Sequence, residues 1–337
     1  MITKDIIVIV EELVKGRLGL SFKEILPLQA SGSPRSYYRV KCEGGSVILC
    51  FSLNREENST FIKLDRIFRA NGIKVPEILA ASEDLRSYIL QDLGDVQLLD
   101  IIKREKLGID RQGLIEGSLC QLRKLQFMPR EKWIESVEFE PLGEELIMYD
   151  FNYSLSQFIS RFNIRYDNNA LKNEFESLKE RLLDFPKELW GFMYRDFQSR
   201  NVLIYENEPW FIDFQSGRLG PCIYDFVSFA WQARAGFSKE DKQEMLQFYS
   251  RQLERVTENP AGILNENMPY WVTFRLLQVL GAYGLRGLKE GKPHFIASIT
   301  PALKEFTEMI EENELQTQYP VLSNIINDLN VEWSKRN

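Results

Sequence analysis

Apolar and polar positions change their period along the 337-residue chain, and the changes divide it. Residues 5–16 carry a helical pattern that closes at Gly16. Three strand-like runs follow, at 24–30, 37–42 and 46–53, separated by the turn Ser31-Gly32-Ser33-Pro34-Arg35-Ser36 and the tight turn Glu43-Gly44-Gly45. Short turns between such runs predict antiparallel hairpins. Phe61, Leu64, Ile67 and Phe68 recur at helical spacing, and Asn71-Gly72 is a stop signal, which predicts a helix over 56–71. Runs at 75–80 and 87–91, joined by Ser82-Glu83-Asp84, read as two more strands. The order β-β-β-α-β-β is not the strand–helix alternation of a doubly wound sheet.

From Leu98 onward helical patterns dominate. Leu171, Phe175, Leu178 and Leu182 form an apolar stripe on one helix face, and 238–256, 268–289 and 301–313 read similarly. One interruption lies between Trp190 and Tyr224, where short β-like pieces are rich in Asp, Asn and Gly. A polar, loop-rich insert in a helical region is where function is to be sought. The expected organisation is α+β: a small antiparallel β region with one helix over residues 1–93, then a large mainly helical region over 98–337.

Composition excludes several alternatives. The aromatic content of 22 Phe, 13 Tyr and 6 Trp supplies ample core, so disorder is not the main state. A net charge of −7 argues against coating nucleic acid, which requires a basic surface. Cys42, Cys50, Cys120 and Cys222 form no CxxC pair, and His294 is the one histidine, which argues against structural zinc and against a disulfide framework. A histidine-dependent hydrolase would have to run through His294, in a segment that reads as a loop. The apolar run Ile6 to Val10 is too short for a signal-peptide core or a membrane span, so a cytoplasmic protein without membrane partners is expected.

The insert reads Tyr194-Arg195-Asp196-Phe197-Gln198-Ser199-Arg200-Asn201, then an apolar piece over 202–205, a turn at Asn207, a second piece over 210–212, and Asp213-Phe214-Gln215. The two pieces read as a hairpin. A hairpin brings its ends together, so Asp196, Asn201 and Asp213 are expected at one edge. Two carboxylates and an amide oxygen are hard donors that suit Mg2+, which completes its shell with water and phosphate oxygens. Phosphoryl transfer uses such an ion together with a carboxylate that orients the attacking hydroxyl. Each piece also has a plainer reading, Asp213 as a turn residue and Asp225 as a helix cap.

Taken together these motifs resemble the aminoglycoside phosphotransferase/choline kinase family, relatives of the protein kinases. Residues 194–201 are similar to its catalytic loop, Ile212-Asp213-Phe214-Gln215 to its metal-binding motif, and Gly220-Pro221-Cys222-Ile223-Tyr224-Asp225 to the segment whose Asp braces that loop. The resemblance spans nearly the whole chain. It is nearest to the branch that phosphorylates the anomeric hydroxyl of N-acetylmuramate and N-acetylglucosamine, through Arg195-Asp196-Phe197, Ser199-Arg200-Asn201, Arg275 to Gly281 and Gly291-Lys292-Pro293.

The resemblance implies a two-lobed protein-kinase-like fold with a hinge at 94–97, and ATP and Mg2+ as cofactors. Asp196 is the implied base, with Arg195, Asn201 and Asp225 in the catalytic set and Asn201 and Asp213 on the metal. Ser31, Gly32, Ser33 and Ser36 occupy the place of a phosphate-covering loop, which is otherwise an ordinary hairpin turn. Asp92 and Leu93 stand where backbone groups meet adenine. Three positions depart from the family pattern: Tyr194 replaces a histidine, Gln215 replaces the Gly of Asp-Phe-Gly, and the third strand has no lysine. Without that lysine the phosphates are left to the metal, the loop, and Arg39 or Arg55.

Candidate acceptor-lining residues are Tyr149, Asp150, Gln215, Arg218, Trp231 and Arg234. Arginines favour a neutral or anionic amino sugar, although each can equally form an internal ion pair. Asp150 with nearby tyrosines suits a cationic acceptor, as in the aminoglycoside and choline kinases. A catalytically silent nucleotide-binding module is the reading from another class. The expected partner is a small molecule, and the expected state a monomer or weak dimer.

Overall fold

A computed structural model describes residues 2–28, 35–103 and 110–336. They fall into two compact units, each discontinuous in sequence. The first contains described residues 2–101, 110–139 and 200–218. The second contains 102–103, 140–199 and 219–336.

The first unit opens with α1 (Lys4–Val10), continued by a wider π-helical turn (Glu11–Arg17). Strands β1 (Phe22–Pro27), β2 (Ser36–Cys42) and β3 (Gly45–Phe51) precede α2 (Arg55–Ala70), and β4 (Ile78–Ala81) and β5 (Ser87–Gln91) follow it. All five strands form one antiparallel sheet in the order β1-β2-β3-β5-β4. The sequence order β-β-β-α-β-β is therefore the observed one. Boundaries differ by a few residues. β4 starts at Ile78 rather than at 75, because Pro76 has no N–H to give to a ladder.

Alternation along the strands sends side chains to two faces. Tyr38, Val40, Val47, Leu49 and Ile89 meet Ile6, Val10, Leu13 and Val14 of the N-terminal helical segment in one core. Next to them in sequence, Tyr88 stacks on Phe61 of α2, with ring centroids 5.1 Å apart. Helices α3 (Leu98–Lys103) and α4 (Arg111–Gln126) come next. Buried Gln121 of α4 accepts from the Lys74 N–H at 2.7 Å and donates to the Pro209 carbonyl at 2.9 Å.

The second unit is mainly helical. It contains α5 (Glu144–Gln157) and α6 (Asn168–Leu183), whose predicted stripe Leu171, Phe175, Leu178 and Leu182 is buried. The insert supplies β6 (Trp190–Met193), β7 (Val202–Tyr205), β8 (Glu208–Phe211) and β9 (Arg218–Pro221), of which β7 and β8 belong to the first unit. Then follow α7 (Cys222–Ala230), α8 (Lys239–Leu253) and α9 (Pro260–Ala282), the last continued by a π-helical segment (Tyr283–Lys289). The chain ends in α10 (Pro293–Ile296), α11 (Ile299–Glu312), α12 (Leu315–Gln318) and α13 (Pro320–Ser334). Helix α9 is the hub, packing on α5, α7, α8 and α11. It begins eight residues before the predicted 268, because Asn259 caps it by accepting the Gly262 N–H and Pro260 fits its first position. No helix among the described residues is long and apolar enough to cross a membrane.

Asp65 of α2 is 1% exposed. Burial pushes its carboxyl up to about 7; Arg69 opposes the rise and Glu77 adds to it. In the unfolded chain a carboxyl of this kind ionises near ~4. The folded state thus binds the extra proton between those values, and stability is lost as pH rises through about 7. Asp65→Asn removes that loss. The variant is expected to melt at higher temperature than the parent at pH 8 and to lose most of the difference at pH 5; a lower melting temperature at pH 8 would contradict the assignment.

Candidate active site

In the second unit, β6 pairs with β9, and β9 runs directly into α7. That connection brings Asp225, in the first turn of α7, to the end of β6. Its Oδ2 accepts the Tyr194 N–H at 2.8 Å and its Oδ1 the Arg195 N–H at 2.9 Å. Asp225 is fully buried, so these charge-assisted bonds are unscreened by water. Arg195 has φ +79, a left-handed backbone that costs an ordinary residue about 1–3 kcal/mol unless its surroundings hold it.

The Arg195 side chain is held as well. Its Nη2 donates to Asp150 Oδ2 at 2.8 Å, and its guanidinium lies 5.3 Å from the Tyr224 ring centroid. Asp150 Oδ2 also accepts from Gln278 Nε2 at 3.0 Å, and Gln278 Oε1 accepts from Tyr224 Oη at 2.6 Å and from Arg275. Asp196 follows Arg195 and is half-buried. Beyond it, Phe197 stacks on Phe229 at 5.1 Å, and Gln232 Oε1 accepts from both the N–H and the Oγ of Ser199, at 3.0 and 2.7 Å. The loop is thus pinned on both sides of Asp196.

Gln278 reaches Asp150 because α9 and its continuation approach α5 closely. A Cβ on Gly281 would sit 2.5 Å from the Tyr153 ring, and one on Gly284 only 2.0 Å from the Gln157 carbonyl oxygen. Arg275 to Gly281 carries a family resemblance in the sequence, but this network is not evident from it. The available signal was the polar pair Arg275 and Gln278, three apart in the mostly apolar second half of the helix, followed by glycines at the same spacing.

In the first unit, β7 and β8 form the predicted hairpin, with Val202 opposite Phe211 and Tyr205 opposite Glu208. Beyond its open end the Ile212 N–H donates to the Asn201 carbonyl at 3.1 Å, so Asn201 and Asp213 are neighbours there. Asp213 has φ +68. Phe214 stacks on Phe61 of α2 with centroids 4.5 Å apart and meets Phe68 edge-on at 5.0 Å. Gln215, buried, donates from Nε2 to Asp213 Oδ1 at 2.8 Å, while its own Oε1 has no hydrogen-bond partner among the described residues. An amide oxygen and an oriented carboxylate beside an orphaned acceptor fit a hydrated Mg2+, which binds through few protein oxygens and keeps several waters.

The remaining predicted residues are placed as follows. Ser31, Gly32 and Ser33 lie outside the described residues, and Ser36 opens β2 opposite Phe51. Leu93 is buried, and the segment after it is tied to the hairpin by the Ile204 N–H, which donates to the Val96 carbonyl at 2.8 Å. Asp92 takes Arg39 Nε at 2.6 Å, Ser46 Oγ at 2.6 Å and the Gly94 N–H at 2.9 Å. Arg39 is also held by Asp95, at 2.7 and 2.8 Å. The expectation that Arg39 serves phosphates is therefore corrected: two aspartates at the sheet end occupy its guanidinium.

Tyr149 is 62% exposed and stacks on Tyr153 at 6.0 Å. The Trp231 ring has Lys242 Nζ 5.3 Å from its centroid, and Arg218 lies over Phe139 at 4.5 Å. Arg234 lines an open cavity of about 500 Å³ with Lys103, His294 and Ser298.

A model of the phosphotransferase enzyme family (APH) matches residues 24–259, well over half of the chain. The N-acetylmuramate/N-acetylglucosamine kinase of Neisseria meningitidis serogroup B is 23% identical over 310 residues, covering 85% of this chain and 90% of the relative. Choline kinase from Cryptosporidium parvum Iowa II superposes with a TM-score of 0.64 at 15% identity, covering 96% of this chain and 98% of that one. A spectinomycin phosphotransferase, solved in complex with ADP and spectinomycin, gives a TM-score of 0.60 at 12% identity over 94% of this chain and 99% of its own. These likenesses show a shared fold, and the protein-kinase-like α+β architecture expected from the sequence is the observed one.

Asp225→Asn keeps the shape but replaces one acceptor oxygen with a donor facing a buried N–H. Stranding a buried backbone donor costs about 1–3 kcal/mol. Denaturant unfolding of the variant is expected to show a loss in that range, whereas Tyr149→Ala, at an exposed position, is expected to match the parent. Equal stability of Asp225→Asn and the parent would contradict the brace.

Proposed function

The chain belongs to the phosphotransferase enzyme family, and we propose that it transfers the γ-phosphoryl group of ATP to the anomeric hydroxyl of an N-acetylated amino sugar such as N-acetylmuramate or N-acetylglucosamine. The observation that carries the reading is the brace on the loop: Asp225 and Asp150 hold the backbone and side chain of Arg195, so the carboxylate of the next residue projects from a fixed peptide. Asp196 acts as the base. It orients the acceptor hydroxyl and takes its proton as the oxygen attacks phosphorus. An anomeric hydroxyl is more acidic than an ordinary alcohol, so it asks less of that base. Asn201 and Asp213 would hold Mg2+, with Gln215 orienting the Asp213 carboxylate. The chemistry such an ion would supply there is the offsetting of negative charge on the phosphates.

For the acceptor, the name of the Neisseria relative supports an amino sugar. The state of Asp150 supports the same choice over a cationic acceptor. It is 3% exposed and its Oδ2 is shared by Arg195 and Gln278, so it is committed to the loop rather than to an ammonium group. The protein acts as a soluble cytoplasmic enzyme in the recycling of cell-wall sugars.

An ADP-release assay with N-acetylmuramate, N-acetylglucosamine, choline and kanamycin tests this reading. The two sugars are expected to be turned over, and Asp196→Asn to lower kcat by about 10²–10⁴-fold with nucleotide affinity retained. Turnover of choline or kanamycin with the sugars inert would overturn the acceptor. Unchanged kcat in Asp196→Asn would remove Asp196 from its role.

A further inference from the structure

In protein kinases a lysine on the third strand pairs with a glutamate of the adjacent helix, and activity requires that pair to be in place. Here β3 reads Gly45-Ser46-Val47-Ile48-Leu49-Cys50-Phe51 and supplies no cation. The first unit nonetheless contains a buried one between the sheet and α2. Arg35, directly before β2, has a fully buried side chain whose Nη2 lies 3.1 Å from Glu57 Oε1. Its guanidinium lies 5.7 Å from the Phe61 ring centroid. Tyr37, Cys50 and Tyr88, from β2, β3 and β5, stand close enough to act on its charge.

Glu57 and Phe61 are four residues apart on α2, so one guanidinium grips two successive turns of the same helix face. The contacts continue from there. Phe61 stacks on Phe214 with rings only 9° from parallel, and Phe214 is bonded to Asp213, whose left-handed backbone has no glycine to relax it. Moving α2 therefore moves the ring that seats Asp213.

We propose that Arg35, through its ion pair with Glu57 and the Phe61–Phe214 stack, is the positioning residue for the metal-binding carboxylate of Asp213. From the start of β2 it takes the half of a third-strand lysine's role that holds the adjacent helix, without the half that contacts phosphate. The inference rests on the reading of Asp213 as a magnesium ligand. Arg35 need not touch the nucleotide. A purely structural ion pair would change melting temperature and leave magnesium affinity alone, because a folded molecule would still present Asp213 in the same place.

The test is magnesium titration of fluorescent-ADP binding to the full chain, comparing the parent with Glu57→Gln, Arg35→Lys and Phe61→Leu, each checked by thermal melting. Glu57 is partly exposed, so its neutral variant keeps the fold even if Arg35→Lys does not. All folded variants are expected to need roughly 10-fold or more magnesium for half-maximal binding, the effect typical of losing a residue that orients a metal ligand. Their magnesium-free nucleotide affinity is expected to stay near that of the parent. A magnesium-dependent parent whose folded variants match it within about twofold would overturn this inference alone. A parent with no magnesium dependence would overturn the reading of Asp213 and this inference with it.

Discussion

The Asp225 carboxylate is the constraint on which the backbone before Asp196 depends. It accepts two consecutive backbone N–H groups and so fixes a left-handed Arg195 that nothing in the local sequence favours. Left-handed backbone at an arginine is unfavourable by itself, and it persists because the neighbours over-determine it. The guanidinium adds a second hold through Asp150, which α9 reaches only because Gly281 and Gly284 let it lie against α5. The peptide that carries Asp196 is thereby fixed. Much of α5, α7 and α9 can be understood as the support for that one peptide.

The first unit solves a related problem by packing rather than by hydrogen bonding. Asp213 is again a non-glycine residue with positive φ. Its seat is the Phe214 ring wedged between Phe61 and Phe68, and its carboxylate is oriented by Gln215. In both units a carboxylate sits on, or next to, a backbone that the surrounding core holds in a sparsely populated conformation. Strain of this kind at two loops of one insert is expected where function rather than stability sets the geometry.

Local features were legible in the sequence. Strand alternation, the Glu43-Gly44-Gly45 turn and the α6 stripe carry their own periodicity, and the β2–β3 hairpin and the buried helix face follow from them, whereas the pairing of β3 with β5 across α2 does not. The hairpin between Asn201 and Asp213 was legible for the same reason. Long-range polar pairs were not. Arg35 and Glu57 lie on opposite sides of two strands and a turn, and no spacing rule links them. Arg39 was misread because an arginine on a strand looks available until Asp92 and Asp95 are folded against it. Asp150 looked like an acceptor-site residue because its helix carries tyrosines, but its partners Arg195 and Gln278 are distant in the chain. Periodicity predicts which face is buried, and it does not say which buried polar groups find each other.

The role proposed for Asp196, on its braced loop, is to direct phosphoryl transfer to an anomeric hydroxyl. Phosphorus NMR of the product formed from ATP, Mg2+ and N-acetylmuramate tests it most directly. One new phosphomonoester resonance is expected, coupled to the anomeric proton and lost on mild acid treatment, and it is absent when Asp196→Asn replaces the parent. A new resonance coupled to a different sugar proton and stable to acid, or an anomeric phosphate formed equally fast by Asp196→Asn, would contradict it.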